Sequence, residues 1–355
     1  MVRERLFFVV SGEHRTLPHA EIRAILQARR IDFKETAASR KLLRVKADHS
    51  ALDAVARRSV MYEQCGIELA ATSASKRRLF SVLHRADLAR HFAGKRSFAV
   101  RSLRVGGAFR QINRATMERE IGGILKGKSR RIKVNLDAPD VTFLCIVSSR
   151  GFLLGEITHS RVPGLIASRR PRKRPVFHPS TMQPKLARCI VNLARPPEGA
   201  LLLDPFCGVG GILLEAVAIR CKAIGADADG QMIRGARTNL RHYGVEPFGL
   251  VVADATKIPV HGVESIVTDP PYGREASTRG RKLDALLKEF LPTAYGILHK
   301  RGYLCICCPS ELRIMSIARR AGFKLVESHL LYVHRSLTRR ILVLRKRMGW
   351  MEAAR

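Results

Sequence analysis

Short apolar runs alternate with amphipathic segments along this chain of 355 residues. A short apolar run is typical of a buried strand, and apolar residues recurring every three or four positions are typical of a helix. In the first part of the chain, this pattern predicts strands at 6–10 and 42–45 and helices at 18–29 and 51–57. The mixture indicates a small α+β unit over residues 1–60, with a ferredoxin-like arrangement.

A second α/β unit is predicted over residues 61–157. Its pattern favours helices near 85–92 and at 113–125, and strands at 97–101, 133–136, 141–147 and 151–155. Residues 158–174 then lose the periodicity and become strongly basic, which is typical of a linker. Such a charge run is either a solvated segment or a site of phosphate contact. The candidate RNA-binding residues in it are Arg169, Arg170, Arg172, Lys173 and Arg174.

From residue 175 to residue 347 the rhythm becomes strand, helix, strand, helix, and residues 348–355 form a short tail. Strands are predicted at 201–203, 223–226, 250–252, 265–267 and 303–307, with late strands at 325–329 and 340–344. The helices between them are predicted at 212–219, 232–242, 283–298 and 311–321. This alternation favours a mostly parallel, doubly wound sheet with both faces covered. Ligands of such sheets bind at the carboxyl ends of the strands.

The charge balance narrows the class of partner. The chain has 64 Lys and Arg against 30 Asp and Glu, a formal charge of +34, and these charges are interrupted by apolar segments. A folded protein with such a surface attracts a polyanion, so nucleic acid is the expected partner. No apolar run approaches the roughly 20 residues that a spanning helix needs, and the run at 6–10 is too short for a signal peptide. We therefore expect a cytoplasmic protein without a membrane segment. Separately, we expect it to be a monomer.

The eight cysteines do not predict a metal site. Cys305 and Cys308 have the two-residue gap of a metal knuckle, but they lie in an apolar run that is predicted to be a strand. Their odd separation would direct the two thiols to opposite faces, and no second pair completes a tetrahedral site. We expect reduced thiols that serve as small apolar side chains, and no metal.

A glycine-rich turn follows the first strand of the doubly wound region, from Asp204 through Phe206, Gly208 and Gly210. Glycines there allow a sharp turn and a close approach of the backbone to a ligand. A dinucleotide fingerprint would need glycine at Leu213, and the Gly-Lys-Ser/Thr of a P-loop is absent. An acid beside the turn would repel a pyrophosphate but can pair with an ammonium group. These features favour S-adenosylmethionine, which has an amino-acid end and no phosphate.

Acids also follow the next two predicted strands. Asp227 is placed to accept hydrogen bonds from the ribose hydroxyls, and Asp254 to accept from the adenine amino group. Either acid alone would more often be a helix cap. Because consecutive parallel strands end at the same edge of a sheet, the repetition favours a ligand site.

The fourth strand leads into Thr268-Asp269-Pro270-Pro271-Tyr272-Gly273. The Asp269 carboxylate and the Pro270 carbonyl can both accept hydrogen bonds from one exocyclic amine, and Tyr272 can stack on the ring that carries it. The simpler alternative is a Pro-Pro turn whose Asp caps the next segment. The arrangement suits methylation of an amine.

Together, these motifs resemble those of the tRNA guanosine-10 N2-methyltransferases of archaea and their eukaryotic relatives. The resemblance extends to residues 174–179, 184–188, 192–193 and 334–339, and the stretches 121–123 and 134–140 resemble a THUMP RNA-binding module. It covers most of the chain from about residue 60 onward. The tetrapeptide Asp-Pro-Pro-Tyr is shared with DNA adenine and protein glutamine N-methyltransferases, so the combination with the THUMP-like stretches gives the resemblance its specificity.

The resemblance implies a Rossmann-like, doubly wound methyltransferase domain preceded by an α+β, THUMP-containing RNA-binding region that grips the tRNA acceptor end. It implies S-adenosylmethionine as cofactor and a catalytic turn of Asp269, Pro270, Pro271 and Tyr272. The cofactor would be held by Asp204, Phe206, Gly208, Gly210, Asp227, Asp254 and Ala255. Val209 departs from the pattern, because relatives often carry a hydroxyl residue there, and we expect one polar contact to the methionine head to be lost.

The expected reaction is methylation of the N2 amine of a tRNA guanosine at position 10, adding one or two methyl groups. Three alternatives stay open at this point. The first is methylation of a guanosine elsewhere in tRNA or in rRNA, and the second is methylation of N6 of adenine by the same turn. The third is from another class, an RNA-binding protein without catalytic activity.

Overall fold

The computed structural model describes residues 3–73, 75–107, 112–128, 131–162, 164, 166–272, 283–335 and 337–347. Gly273, Ser336 and the predicted tail 348–355 therefore lie outside the described residues. The chain divides into two compact units. The first comprises residues 1–19, 31–56 and 62–161, and the second comprises residues 20–30, 57–61 and 162–355.

The first unit contains an eight-stranded sheet. Its strands are β1 (Glu4–Val10), β2 (Phe33–Ser39), β3 (Leu42–Ala47), β4 (Tyr62–Thr72), β5 (Ser97–Val105), β6 (Lys133–Val134), β7 (Val141–Ser148) and β8 (Gly151–Ser160). Their order across the sheet is β2-β3-β1-β4-β8-β7-β5-β6. Strands from both predicted N-terminal units thus belong to one sheet, and the boundary at residue 60 stays a prediction.

Five helices lie along the same part of the chain: α1 (Leu17–Ala28), α2 (Ser50–Arg58), α3 (Lys76–Arg85), α4 (Ala89–Phe92) and α5 (Arg114–Gly127). The predicted helix at 85–92 is wrong over 86–88, because the Ala86 backbone is extended with ψ 135°. Strands β2 and β4 and helix α3 were not predicted. The side chains of Ser75 and Asn113 cap α3 and α5 by accepting from backbone N–H groups.

The second unit contains a seven-stranded sheet. Its strands are β9 (Leu201–Asp204), β10 (Lys222–Asp227), β11 (Gly249–Val252), β12 (Val263–Thr268), β13 (Leu298–Pro309), β14 (Phe323–His334) and β15 (Leu337–Lys346). Their order is β11-β10-β9-β12-β13-β15-β14. Strands β9 to β13 pair in parallel, whereas β15 is antiparallel to both β13 and β14. The predicted mostly parallel sheet is confirmed.

Helices accompany this sheet in alternation with its strands: α6 (Pro184–Leu193), α7 (Gly211–Val217), α8 (Gly230–His242), α9 (Leu283–Ile297) and α10 (Ile314–Arg320). Helix α6 was not among the predicted elements. Apolar side chains of β9, β12, β13 and β15 pack with α9 and α10 in a core that includes Leu203, Ile266, Phe290 and Leu344. Short 3-10 turns occupy 167–169 and 171–173 in the predicted linker. Within the described part of the chain, no helix is long and apolar enough to span a membrane.

Candidate active site

The glycine-rich turn after β9 has a fixed backbone. Gly208 and Gly210 adopt positive φ angles of 50° and 84°, a region that favours glycine. The Gly208 N–H donates to the Asp227 carboxylate at 3.0 Å, which ties the turn to the end of β10. A Cβ added at Gly208 would meet nothing within 4 Å, whereas one at Gly210 would lie 3.3 Å from the Ala236 Cβ. The turn therefore leaves open space beside Gly208, where a ligand can approach the backbone.

Asp204, the last residue of β9, is 1% exposed. Its Oδ1 accepts from the Thr268 hydroxyl at 2.8 Å and from the Phe206 N–H at 3.2 Å, while its Oδ2 has no hydrogen-bond partner in the described structure. Burial raises the pKa of Asp204 to about 7 despite the hydrogen bonds from Thr268 and Phe206, and the nearby carboxylates of Asp227 and Asp269 raise it further. A buried acid with a free oxygen is suited to an incoming ammonium group, as S-adenosylmethionine carries.

The acids after β10 and β11 support their own turns. Asp227 accepts from the Asp229 N–H at 2.9 Å in addition to Gly208. Asp254 accepts from the N–H and the hydroxyl of Thr256 at 2.9 and 2.8 Å. A carboxylate has about four acceptor sites, so these contacts are compatible with further hydrogen bonds to a ligand. The parallel register places both acids at the same edge as Asp204.

Two other residues that are predicted to bind the cofactor, Phe206 and Ala255, lie at this edge and pack against the hydrophobic core. The Phe206 ring packs edge-to-face on Phe290 with centroids 5.4 Å apart. Ala255 is 3% exposed and belongs to the core of the sheet. Their contact with a cofactor stays a prediction.

The predicted catalytic turn follows β12 directly. Thr268 and Pro270 are buried, and Asp269, Pro271 and Tyr272 are half-buried. The Tyr272 hydroxyl donates to Asp269 Oδ1. Since the Thr268 hydroxyl also bonds to Asp204, the catalytic turn and the glycine-rich turn are joined by side chains.

Arg339 also belongs to this site, and the sequence interpretation did not include it. Its Nη2 lies 2.9 Å from Asp269 Oδ2, and its Nε donates to the Tyr272 hydroxyl at 3.0 Å. Burial raises the pKa of Asp269, and the Arg339 guanidinium and the Tyr272 hydroxyl partly oppose this rise. The sequence singled out Arg339 only as part of the stretch 334–339. Its contact with Asp269 depends on the antiparallel pairing of β15 with β13, and that pairing cannot be predicted from the stretch.

The basic run 169–174 is divided between surface and interior. Arg170, Arg172 and Lys173 are exposed, as an RNA contact requires. Arg169 instead pairs with the buried Glu215 at 2.8 Å, and Arg174 is 5% exposed with its Nε donating to the Arg169 carbonyl at 3.0 Å. Direct phosphate contact stays a prediction for the whole run, because the Arg169 side chain is 19% exposed and Nη1 and Nη2 of Arg174 have no hydrogen-bond partner in the described structure.

Val209, where relatives often carry a hydroxyl residue, has its side chain in the protein interior. Its side chain is 4% exposed and packs against α8, where its Cγ1 would lie 3.1 Å from a Cβ added at Gly235. The Val209 carbonyl accepts from the Asn239 side chain at 2.9 Å. The side chain at this position thus supports helix packing, and the expected loss of a polar contact to the methionine head stays a prediction.

All eight cysteines are buried and none is in a disulfide. Across the residues that the structure describes, no three His, Cys, Asp or Glu side chains form a group suited to a metal ion. The described side chains at the edge of the sheet include the four carboxylates, Tyr272 and Arg339.

Comparison with known proteins agrees with this geometry. Residues 171–341 match a family model described as RMKL-like, methyltransferase domain, and residues 74–155 match the THUMP domain. The chain is 34% identical to the tRNA (guanine(10)-N2)-dimethyltransferase of Methanothermobacter thermautotrophicus over 342 residues, which cover 96% of this chain and 99% of the relative. It is also 34% identical to the protein of the same name from Methanocaldococcus jannaschii, over 71% of each chain.

A solved structure shares the fold. The crystal structure of TrmN from Thermus thermophilus aligns with a TM-score of 0.52 and 24% sequence identity, over 97% of this chain and 100% of that one. At this level of identity the likeness concerns the architecture alone.

Proposed function

The chain belongs to the tRNA (guanine(10)-N2)-dimethyltransferase family, and from that premise we propose that it methylates the N2 amine of guanosine 10 in tRNA. The products would be N2-methylguanosine and N2,N2-dimethylguanosine. One observation carries the proposal: the Thr268 hydroxyl bonds to Asp204 at 2.8 Å, so the turn that accepts an amine adjoins the turn that suits the methyl donor.

The residues of the sheet edge fit S-adenosylmethionine. Asp204 would pair with its ammonium group, Asp227 with the ribose hydroxyls and Asp254 with the adenine amine, while Gly208 and Gly210 allow close backbone approach. When bound, the cofactor supplies a methyl group activated by a positively charged sulfur. The unpartnered Asp204 Oδ2 and the open space beside Gly208 support this assignment.

The catalytic turn would activate a poor nucleophile. The lone pair of guanine N2 is delocalised into the ring, and hydrogen bonds from the amine to Asp269 and to the Pro270 carbonyl favour a pyramidal nitrogen whose lone pair is directed outward. Transfer of the methyl group to N2 would leave a positive charge on that nitrogen. The Asp269 carboxylate would stabilise that charge and accept the proton that the nitrogen must lose.

The target base has to leave its helical stem before it can reach this turn. A guanine stacked and paired in a stem keeps its N2 amine within the helix, so we propose that the base is flipped out and stacked on Tyr272. The formal charge of +34 supports an RNA substrate, and Arg170, Arg172 and Lys173 are the exposed cations that we assign to phosphate contact. We also propose that the protein acts as a cytoplasmic monomer, with residues 61–157 contacting the tRNA.

Product mapping tests the function. We expect unmodified tRNA incubated with labelled donor to gain N2-methylguanosine and N2,N2-dimethylguanosine at position 10, and a transcript with adenosine at position 10 to gain no label. Label at another guanosine would contradict the proposed position, and N6-methyladenosine would contradict the proposed chemistry. A protein that binds tRNA but shows no binding of S-adenosylmethionine in calorimetry would be an RNA-binding protein only.

Replacement of Asp269 tests the mechanism. Asp269→Ala removes the carboxylate that holds the amine, so we expect methyl transfer to fall by roughly 1,000-fold or more while tRNA affinity is retained. The matched control is Glu246→Ala, because Glu246 is exposed and precedes β11, at the opposite edge of the sheet. Normal turnover of Asp269→Ala would show that another group activates the amine.

A further inference from the structure

Arg339 reaches the catalytic turn from a strand that is distant in sequence. Strand β15 runs antiparallel to β13, and Arg339 is paired with Pro309, the last residue of β13. Because β12 and β13 are parallel neighbours, the beginning of β15 lies at the carboxyl edge where Asp269 follows β12. The topology of the sheet thus delivers a cation to the edge that otherwise presents acids.

The guanidinium makes two polar contacts and one ring contact. Its Nη2 pairs with Asp269 Oδ2 at 2.9 Å, and its Nε donates to the Tyr272 hydroxyl at 3.0 Å. Its central carbon lies 5.6 Å from the centroid of the Tyr272 ring. The Tyr272 hydroxyl in turn donates to Asp269 Oδ1, which closes a triangle of three side chains. This triangle fixes the carboxylate and the ring relative to each other.

The triangle leaves room for a substrate amine. Each carboxylate oxygen of Asp269 accepts one hydrogen bond within the triangle and has a second acceptor site. The guanidinium is on one side of the Tyr272 ring, and a ring has a second face on which a base can stack. Arg339 therefore does not need to leave before a purine is bound.

The charge environment of Asp269 explains why a cation is needed there. Asp269 and Arg339 are both largely buried, with side-chain exposures of 13% and 12%. Burial alone favours the protonated carboxyl, which has lost an acceptor site and cannot take a proton from the amine. Several ionisable groups of the described residues act on Asp269 or are acted on by it. They are Tyr272 on its own turn, Asp204 on β9, Cys307 and Cys308 on β13, and Arg339 on β15.

We propose that Arg339 is a positioning residue for methyl transfer, which keeps the Asp269 carboxylate in its charged form and holds the Tyr272 ring in place to stack the target base. This inference rests on the proposed function and adds a residue to it. It gives β15 a role in the reaction, and this role cannot be predicted from the catalytic turn after β12 alone. Among the ion pairs of the described residues, the pair with Arg339 is the one that neutralises Asp269.

Two substitutions separate charge from geometry. In Arg339→Gln the charge is lost, so we expect kcat to fall by roughly 100-fold with little change in the KM for tRNA. The acidic limb of the kcat profile should move to higher pH by about one unit or more, because a neighbouring cation lowers a carboxyl pKa by that amount. Arg339→Lys keeps the charge and should hold the acidic limb near its wild-type position while only partly restoring kcat.

A second readout needs neither donor nor tRNA. Unfolding free energies of wild type and Asp269→Asn are measured at a series of pH values. The difference between the two reports the ionisation of Asp269. In an Arg339→Gln background, we expect the midpoint of that difference to move to higher pH. This measurement tests the charge effect independently of turnover.

Arg345 provides a matched control on the same strand. Its guanidinium also lies 5.6 Å from a tyrosine ring, that of Tyr303, but it is near the other end of β15. Arg345→Gln should leave kcat and its pH profile unchanged. Wild-type kcat in Arg339→Gln would overturn the inference, as would a loss of kcat without movement of either pH midpoint. If wild type itself methylates no tRNA guanosine, the proposed function fails instead.

Discussion

At the scale of single residues, the buried carboxylate of Asp204 suits ligand binding but lowers the free energy of unfolding when it is ionised. Its carboxylate is almost fully buried at the end of β9, and Oδ2 has no partner in the described residues. Burial raises its pKa from 3.8 to about 7. The folded protein therefore binds a proton at Asp204 more tightly than the unfolded chain does.

The sign of the resulting pH dependence follows from that raised pKa. The stability contributed by Asp204 is fully present below pH 4 and is lost as pH rises through about 7. We expect Asp204→Asn, which cannot ionise, to match wild type near pH 4 and to exceed it by on the order of 4 kcal/mol near pH 8. Chemical unfolding at a series of pH values measures the difference. A difference that is constant with pH would mean that Asp204 does not titrate as assigned.

The acids of the site were predictable from sequence because each lies at the end of an apolar strand or within two residues of it. Apolar runs locate strand ends, and parallel strands bring those ends to one edge, so Asp204, Asp227, Asp254 and Asp269 could be grouped in advance. Arg339 could not be grouped with these acids, because its position depends on the antiparallel register between β15 and β13. The burial of Arg174 and the pairing of Arg169 with Glu215 could not be predicted either, because a basic run has the same composition whether its side chains face solvent or the protein.

At the scale of elements, helix α8 holds the glycine-rich turn in place through one side chain. Asn239 is fully buried, and its Oδ1 accepts from the Val176 N–H at 2.9 Å. Its Nδ2 donates to the carbonyls of Val176 and Val209, both at 2.9 Å. One amide thus joins α8 to the segment before α6 and to the glycine-rich turn.

Removal of that amide should affect both stability and cofactor binding. Asn239→Ala leaves three backbone groups without partners, so we expect a loss of about 3 kcal/mol in unfolding free energy and weaker binding of S-adenosylmethionine. Thr238→Ala is the matched control, because Thr238 is exposed on the same helix and its hydroxyl bonds only to the Arg234 carbonyl among the contacts described. Equal effects of the two substitutions would contradict the role given to Asn239.

The elements of the second unit were easier to predict than those of the first. Strands β9, β10, β12 and β13 are largely buried and pair in parallel, so they appear in the sequence as compact apolar runs. The edge strand β11 also reads as an apolar run, although none of its residues is buried. Strand β2 is largely exposed, with polar residues on most positions, and gave no such signal. Helix α3 carries a charged N-terminal turn and buries only Leu79 and Leu83, so its apolar periodicity is short.

At the scale of the whole molecule, the charge of +34 determines how the protein meets RNA. Phosphate contacts release counterions, so we expect tRNA affinity to fall by tenfold or more between about 50 and about 200 mM salt. Cofactor affinity should change little, because the cofactor has no phosphate. Filter binding for tRNA and calorimetry for the cofactor measure the two. A tRNA affinity independent of salt would mean that charge does not drive recognition.

The exposed part of the basic run can be tested in the same assay. Simultaneous replacement of Arg170, Arg172 and Lys173 by alanine should reduce the salt slope by about two to three. The control replaces Arg319, Arg320 and Lys324, which are exposed and change the net charge equally. Equal effects of the two triple variants would show a general charge effect and no phosphate contact at 170–173.

The most direct measurement of the central claim is a crystal structure of the protein with S-adenosylhomocysteine bound. We predict that the amino-acid end of the ligand contacts Asp204 and that its sulfur faces the turn formed by Asp269, Pro270, Pro271 and Tyr272. An amine held by Asp269 would then be within about 3 to 3.5 Å of the position that the methyl carbon of S-adenosylmethionine would occupy. A ligand bound at another edge of the sheet, or a sulfur directed away from Asp269, would contradict the account.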